Sequence, residues 1–280
     1  MKKSFYLLGA AAAALAGVSS CAGGSGEGSG RSDVTEFVVN RVIKTADRNY
    51  RVETDYDTAY VDVYASIHWP EKLGDADLTP LRRTLLEYAF NDTTSTTLEG
   101  ALDSYLGDIS FIEGVKSATQ VDSLPAGPDG IGAYFSSVTA TVLDLDEEMA
   151  TYQVTTSAYL GGAHPMTASH PFTYVLKSGT VLDVDNILTK AGQDSIMPII
   201  INALARQLEV PVDGLEKAGI FTSQLTSPGY PYISNNTLYF HYNPYDIAPY
   251  SRGMVDVAVY PYEVDRFLTP EAKALFDEGY

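Results

Sequence analysis

Two histidines stand six positions apart in residues 159–171, YLGGAHPMTASHP, where a glycine pair precedes the first and a proline follows each. Imidazole nitrogens bind zinc when three or four nitrogen, sulfur or oxygen ligands converge on the ion. His164 and His170 supply two such ligands, and the others would come from His68, His241 or a distant carboxylate. The pair lacks the i, i+4 spacing that places two ligands on one helix face, so we expect no metal and no cofactor.

The same histidines raise a catalytic hypothesis. As a general base, His164 would need a nucleophile and an orienting carboxylate within hydrogen-bond reach. The side chains available nearby in sequence are Ser157, Ser169 and Asp183. Neither serine stands in a nucleophile-elbow pattern, which weakens this hypothesis.

A structural role explains the segment more simply. Gly161 and Gly162 permit a sharp turn at a strand end, and the His164 ring can then bond a backbone carbonyl. We therefore interpret Gly161, Gly162 and His164 as a structural turn without catalysis. The alternative is an envelope hydrolase or metal-dependent enzyme that uses His164 and His170.

Tyrosine and proline crowd residues 228–262, which hold eight of the 20 tyrosines. The segment 243–253, NPYDIAPYSRG, which we call the Tyr/Pro loop, is too rich in proline for a helix or an inner strand. It predicts a rigid connection whose aromatic rings form either a contact surface or a plug over the open end of a sheet. The candidate ligand-binding residues are Tyr242, Tyr245, Asp246, Tyr250 and Arg252. A pair between Arg252 and Asp246 would hold the loop.

The charge balance restricts the partners. The net charge is −18 and the isoelectric point is near 4.4, so the chain repels phosphate backbones and we exclude nucleic-acid binding. The negative net charge favours a cationic partner, although an acidic surface can also have the sole role of keeping a protein soluble. With 45% hydrophobic and 19% charged residues, the chain has enough apolar material for a core.

The N-terminus resembles a bacterial export signal. Residues 1–21, MKKSFYLLGAAAAALAGVSSC, combine two lysines with an apolar run too short for a comfortable membrane span. The run ends in Val18-Ser19-Ser20-Cys21, which resembles a lipobox, and Cys21 is the sole cysteine. We predict a signal peptide over 1–20, lipidation of Cys21 and a flexible Gly/Ser tether over 21–32. The protein would then be lipid-anchored in the cell envelope outside the cytoplasm, and in the outer membrane if the host is Gram-negative.

Hydrophobic periodicity predicts an α+β fold with mainly antiparallel sheets and a few packed helices. The predicted strands are 34–44, 58–67, 131–144, 149–160, a hairpin at 172–184, 238–242 and 254–262. The predicted helices start at Thr79-Pro80, span 97–107 and about 194–209, and start again at Thr269-Pro270. We expect two closely associated subdomains, 33–160 and 161–280.

Three motifs resemble a known two-part extracytoplasmic module. They are Tyr159-Leu160-Gly161-Gly162-Ala163-His164, the hairpin FTYVLKSGTVLDVDNIL and the closing signature FHYNPYDIAPYSRGMVDVAVYPYEV. The module occurs in RsiV-type anti-sigma factors, which sense lysozyme. It also forms the non-catalytic N-terminal part of PdaC-type peptidoglycan deacetylases, and it occurs in many envelope lipoproteins of unknown function. The resemblance is specific over about 150–265, while 34–148, in the PdaC-like half, matches only the order of elements. Pro165 stands where the family usually has glycine.

The resemblance implies a binding or sensing lipoprotein. Neither a sigma-binding region nor a deacetylase domain is recognisable in the sequence, so we expect neither of those roles to transfer. The expected partners are a basic protein such as lysozyme, or peptidoglycan fragments.

Overall fold

The computed structural model describes residues 37–125 and 134–276. The expected signal peptide, Cys21 and the tether therefore lie outside the described residues. These described residues form one compact unit. None of the helices in the described part of the chain is long and apolar enough to cross a membrane.

Ten strands run through the described residues. They are β1 Val39–Thr54, β2 Thr58–Leu73, β3 Val115–Val121, β4 Tyr134–Leu145, β5 Met149–Tyr159, β6 Met166–Val175, β7 Thr180–Val181, β8 Tyr230–Ser234, β9 Thr237–Tyr242 and β10 Val255–Val259. The helices of the same part are α1 Thr79–Phe90, α2 Leu98–Gly107, α3 Val184–Ile187, α4 Lys190–Gln193, α5 Ile196–Gln207, α6 Pro261–Val264 and α7 Pro270–Lys273.

The strands form two sheets. The large sheet has the order β3-β1-β2-β4-β5-β6-β7 and the small sheet has the order β10-β9-β8. All pairings are antiparallel except that of β2 with β4. The predicted α+β class with mainly antiparallel sheets is therefore confirmed.

One face of the large sheet is covered by α1 and α2. Alternate residues of β2, from Val61 to Ile67, are fully buried there, and they pack against helix residues such as Leu81 and Leu102. A second core lies around α5, whose Ile196, Ile200 and Leu204 pack with the small sheet. Burial of these apolar side chains is the main stabilising term of both cores.

The sequence missed two strands and misjudged several boundaries. β3 is almost wholly exposed and β8 contains a proline, so neither shows the alternating apolar pattern on which the prediction relied. β6 begins at Met166, so the second half of the histidine segment is strand and only residues before it form the turn. Thr79 is the first residue of α1 and not its cap, while the Asp77 carboxylate accepts a hydrogen bond from the Thr79 backbone N–H at 2.9 Å.

The expected subdomain boundary at residue 160 falls in the connection between β5 and β6. These two strands pair with each other from Met149 to Ala158, so the large sheet continues across the boundary. The division into two subdomains stays a prediction.

Candidate functional site

The turn between β5 and β6 brings its histidine onto the Tyr/Pro loop. Gly161 and Gly162 have φ of 92° and 107°, a region that favours glycine. The Nδ1–H of His164 donates to the Pro165 carbonyl at 2.9 Å. The His164 ring also stacks on Tyr250, with ring centroids 3.9 Å apart, so the two segments singled out in the sequence meet in space.

Tyr250 fastens the loop to this turn. Its hydroxyl donates to the Pro165 carbonyl at 2.6 Å, the same oxygen that His164 contacts. A tyrosine ring that is stacked and hydrogen-bonded loses most of its freedom, because both of its side-chain torsions are fixed. Tyr250 is half-buried and acts as the support of the loop.

Tyr245 projects from the supported loop. Its φ is +73°, which is costly for a bulky side chain, yet the residue remains 49% exposed. Its centroid lies 5.8 Å from that of Tyr250. The surrounding backbone is fixed, since the Tyr245 N–H donates to Ala248 O at 3.0 Å and the Asn243 N–H donates to an Asp246 carboxylate oxygen at 2.7 Å. The structure therefore holds an exposed aromatic ring in one position.

The other predicted ligand residues have different surroundings. Tyr242 is only 4% exposed, its hydroxyl donates to Ser227 O at 3.0 Å, and burial raises its pKa to about 12. Tyr242 thus belongs to the core beneath the loop. The expected pair of Arg252 with Asp246 is not the one found, because the Arg252 guanidinium donates to the Ala218 carbonyl.

Asp246 lines a cleft of ≈ 580 Å³ beside the loop. Two further carboxylates, Asp183 and Asp185, line the same cleft together with Tyr230 and Gln224. We call this the acidic cleft. All three carboxylates are exposed, so the cleft offers negative charge to a ligand in solution.

His170 occupies a separate aromatic environment on β6. Its ring lies between Tyr88 of α1 and Tyr230 of β8, with centroid distances of 4.2 and 4.3 Å. Burial lowers the pKa of His170 to about 4, and the charge of His241 adds to this lowering. A neutral, sandwiched imidazole suits packing between α1 and the small sheet.

The remaining histidines are also engaged. The fully buried His241 ring contacts Asp256, with Nδ1 and Oδ1 2.7 Å apart. His68 Nδ1 accepts a hydrogen bond from the Val142 N–H at 3.3 Å, and burial lowers the pKa of His68. Within residues 37–125 and 134–276, no group of three His, Cys, Asp or Glu side chains could hold a metal ion.

Sequence reasoning missed the partners of His170 and the acidic cleft. Tyr230 was counted among the clustered tyrosines, but Tyr88 lies far away in sequence on α1 and no local pattern marks it. From the sequence, Asp183 is a candidate only for orienting His164, and Asp185 is not singled out. In the structure Asp183 caps α3 by accepting a hydrogen bond from Asn186 N at 2.9 Å. Only the tertiary fold brings Asp183 and Asp185 next to Asp246.

Comparison with known proteins finds one family model that matches part of this region. Residues 185–262 match the family "Protein of unknown function (DUF3298)". The match contains α5, the small sheet and the Tyr/Pro loop, and lies within the segment 150–265 that carries the sequence motifs. No curated protein matches the chain.

Two crystal structures share the fold. A DUF3298 family member from Bacteroides fragilis aligns with 84% of this chain and 96% of its own, with a TM-score of 0.66 and 17% identity. A DUF3298 family protein from Pseudomonas aeruginosa aligns with 85% of this chain and 96% of its own, with a TM-score of 0.57 and 16% identity. At such identities the likeness concerns the fold alone.

Proposed function

We propose that this protein is a lipid-anchored recognition protein outside the cytoplasm that binds a basic protein, such as lysozyme, without catalysing a reaction. The observation that carries the proposal is Tyr245, a half-exposed ring held at a strained φ beside the acidic cleft. Strain in a bulky residue persists only where the surroundings impose it, and it concentrates at functional positions.

The loop has the physical properties of a contact anchor. Binding hot spots are enriched in tyrosine, because a rigid ring buries a large area at a small loss of side-chain entropy. The stack of His164 on Tyr250 and the backbone bonds around Tyr245 fix the ring before any partner arrives. Pre-organisation of this kind lowers the free-energy cost of binding.

The charge of the chain supports a cationic partner. The exposed carboxylates of Asp183, Asp185 and Asp246 lie in one cleft, and the whole chain carries a net charge of −18. Long-range attraction of this sign accelerates the encounter with a basic protein and weakens with added salt.

The lipid anchor and the extracytoplasmic location rest on the N-terminal sequence and Cys21. Peptidoglycan fragments are the other ligand that the family resemblance suggests. The RsiV-like and PdaC-like character of the two halves belongs to the same proposal. The hydrolase alternative finds less support, since His164 and His170 contact different tyrosine rings.

The test is calorimetric titration of the full-length chain with lysozyme at low and moderate salt. We expect binding that Tyr245→Ala weakens at least about tenfold, as expected for an interface hot spot. Asp185→Asn should weaken it less and reduce its dependence on salt.

Tyr262→Ala is the matched control, because Tyr262 is 65% exposed and lies outside the loop and the cleft. It should bind lysozyme like the unaltered chain. Absence of lysozyme binding, or equal losses in the Tyr262 and Tyr245 variants, would overturn the proposed partner.

A further inference from the structure

The two faces of the large sheet differ in what covers them. In β2, Val61, Val63, Ala65 and Ile67 are fully buried beneath the helices. The residues between them point to the opposite face and stay partly accessible to water. β4 shows the same alternation around Val138 and Ala140. Side chains alternate along each strand, and paired residues of neighbouring strands project to the same face. The accessible residues therefore form one continuous surface across the strands.

Hydroxyl side chains form two adjacent rows across this surface. Strand register aligns the first row, which is Thr45, Ser66, Thr139, Thr155 and Ser169 on β1, β2, β4, β5 and β6. The second row is Tyr64, Ser137, Ser157 and Thr167 on β2, β4, β5 and β6. We call these nine residues the hydroxyl face. Neighbouring strands lie about 4.8 Å apart, so the first row is about 19 Å long.

Most of these hydroxyls keep hydrogen-bonding capacity for a ligand. Thr155 and Ser169 share one bond at 2.7 Å, and Ser157 and Thr167 share another at 2.8 Å. Ser169 is buried, so of the first pair only Thr155 is accessible to a ligand. A hydroxyl offers one donor and two acceptor positions, so one such bond leaves capacity over. The hydroxyl of Thr139 makes no side-chain hydrogen bond to any residue of the described chain.

Aromatic rings flank the rows on the same face. Phe135 pairs with Tyr159 at the register position next to Ser137 and Ser157, and their rings stack with centroids 6.4 Å apart. An aromatic ring offers a flat apolar surface to the C–H side of a sugar ring, while hydroxyls bond the sugar hydroxyls. The two groups together have the chemistry of a carbohydrate surface.

The lack of charged residues on the hydroxyl face indicates which classes of ligand it can bind. None of its nine residues is charged, in a chain whose net charge is −18. Two carboxylates border it in register: Asp47 at the β1 end of the second row, and Asp62 beside Phe135 in the aromatic row. The absence of cations argues against a phosphate-bearing ligand. The shortage of aliphatic residues argues against a second copy of this chain, because interface cores are apolar.

The Tyr/Pro loop ends the first row. The Ser169 N–H donates to the Asn243 side-chain oxygen at 2.6 Å, and the Asn243 amide donates to Ser169 O at 3.0 Å. Asn243 thereby closes this part of the β6 edge. Ser169 is only 3% exposed there, so the accessible part of the first row runs from Thr45 to Thr155.

We infer that the hydroxyl face binds a neutral glycan chain, which lies across the strands along the two rows. This inference rests on the proposed recognition role but assigns a second ligand class to a different surface. The sugar hydroxyls exchange hydrogen bonds with Thr139, Ser66 and Thr155, and a sugar ring packs against Tyr64.

The test titrates the full-length chain with four neutral hexasaccharides, made of β-linked glucose, α-linked glucose, mannose or N-acetylglucosamine. We expect at least one to bind. Thr139→Val should weaken that binding about fivefold, the typical effect of one lost neutral hydrogen bond. Tyr64→Ala should weaken it further, and melting curves of both variants establish that they are folded.

Thr156→Val is the matched control, since Thr156 is exposed on the opposite face of β5. It should leave glycan binding unchanged. Failure of all four hexasaccharides to bind at millimolar concentration would overturn the inference, as would equal weakening in the Thr156 and Thr139 variants.

Lysozyme titrations of the same variants separate this inference from the proposed function. Thr139→Val should leave lysozyme binding intact and Tyr245→Ala should leave glycan binding intact. If Thr139→Val weakened only lysozyme binding, the face would be a protein-docking surface and the glycan assignment would be wrong.

Discussion

Threonines occupy the same face of the large sheet in two different settings. Thr151 and Thr173 are fully buried where β8 of the small sheet covers β5 and β6. Thr139 and Thr155 project from the same side of the sheet, outside the area that β8 covers, and remain partly accessible. Residue type, sheet and face are shared, so the difference lies in whether a protein segment covers them.

The covered threonines show what such hydroxyls can bind. The Ile233 N–H donates to Thr173 Oγ1 at 2.8 Å, and the Thr151 hydroxyl donates to Ile233 O at 2.6 Å. The two hydroxyls lie 2.8 Å apart, which completes a closed circuit. β8 is an edge strand, and this circuit satisfies two of its backbone groups. A pair of sheet hydroxyls therefore binds both a hydrogen-bond donor and an acceptor of a docked segment. A sugar hydroxyl on the hydroxyl face would require the same two kinds of bond.

Removal of both covered hydroxyls should give the largest loss of stability. In the double variant Thr151→Val and Thr173→Val, the buried N–H and C=O of Ile233 lose their partners. Each unsatisfied buried group costs about 1–3 kcal/mol, so we expect a loss of about 3 kcal/mol in the free energy of unfolding. Urea denaturation measures it, and an unchanged slope would show that the folded state stays compact.

The matched double variant is Thr139→Val and Thr155→Val on the uncovered part. Valine suits strands as well as threonine does, and only the Thr155 bond to Ser169 is lost. A change of less than about 1 kcal/mol is expected. Equal losses in the two double variants would show that the uncovered hydroxyls serve the fold and are not reserved for a ligand.

The contrast explains how far the sequence could predict the fold. The period-two pattern of β2 and the hairpin around Gly179 identified real elements, because one covered face leaves alternating apolar residues. The hydroxyl rows left no local signal, since Ser66 and Thr139 become neighbours only through the parallel pairing of β2 with β4. Register between distant strands depends on the whole sheet and cannot be read from one segment.

His170 provides the next largest expected effect and lies on the helix-covered side of β6. Burial between Tyr88 and Tyr230 lowers its pKa to about 4, while an unfolded histidine titrates near 6.5. As pH falls from 6.5 to 4, the unfolded chain therefore gains the proton first and the folded state loses stability. After allowance for the part of the ring that water reaches, the loss should be about 2 kcal/mol.

Comparison of the unaltered chain with His170→Gln isolates this contribution. Both proteins lose stability in acid through their carboxylates, but the variant should lose about 2 kcal/mol less between pH 6.5 and 4. Thermal melting at half-unit pH intervals measures the difference, and values at pH 8 give the constant loss from the missing ring contacts. Parallel curves over the whole range would mean that His170 is accessible enough to titrate normally.

The candidate site was only partly predictable for a related reason. The sequence identified the Tyr/Pro loop and the His164 turn, but not that they touch. It grouped Tyr242 with Tyr245, although the structure buries the first and exposes the second. Tyr242 is the last residue of β9, whereas Tyr245 lies beyond the strand, in the loop. Pro244 interrupts the alternation of side chains between the two positions, so composition does not reveal that one is buried and the other exposed.

The smallest change in stability is expected at Tyr245, which extends the comparison of covered and uncovered groups to the loop. Tyr245→Gly relieves the strain of a bulky residue at φ +73° but loses the ring contact with Tyr250 and increases the entropy of the unfolded chain. These terms oppose each other, so the free energy of unfolding should change by no more than about 0.5 kcal/mol.

Tyr250→Ala should instead cost about 2 kcal/mol, because it removes a stacked ring and a hydrogen bond to Pro165 O. Denaturation and lysozyme titration of both variants distinguish a contact residue from a plug. Loss of binding with unchanged stability in Tyr245→Gly identifies a contact residue, whereas a loss of stability as large as that of Tyr250→Ala would show that Tyr245 closes the end of the sheet.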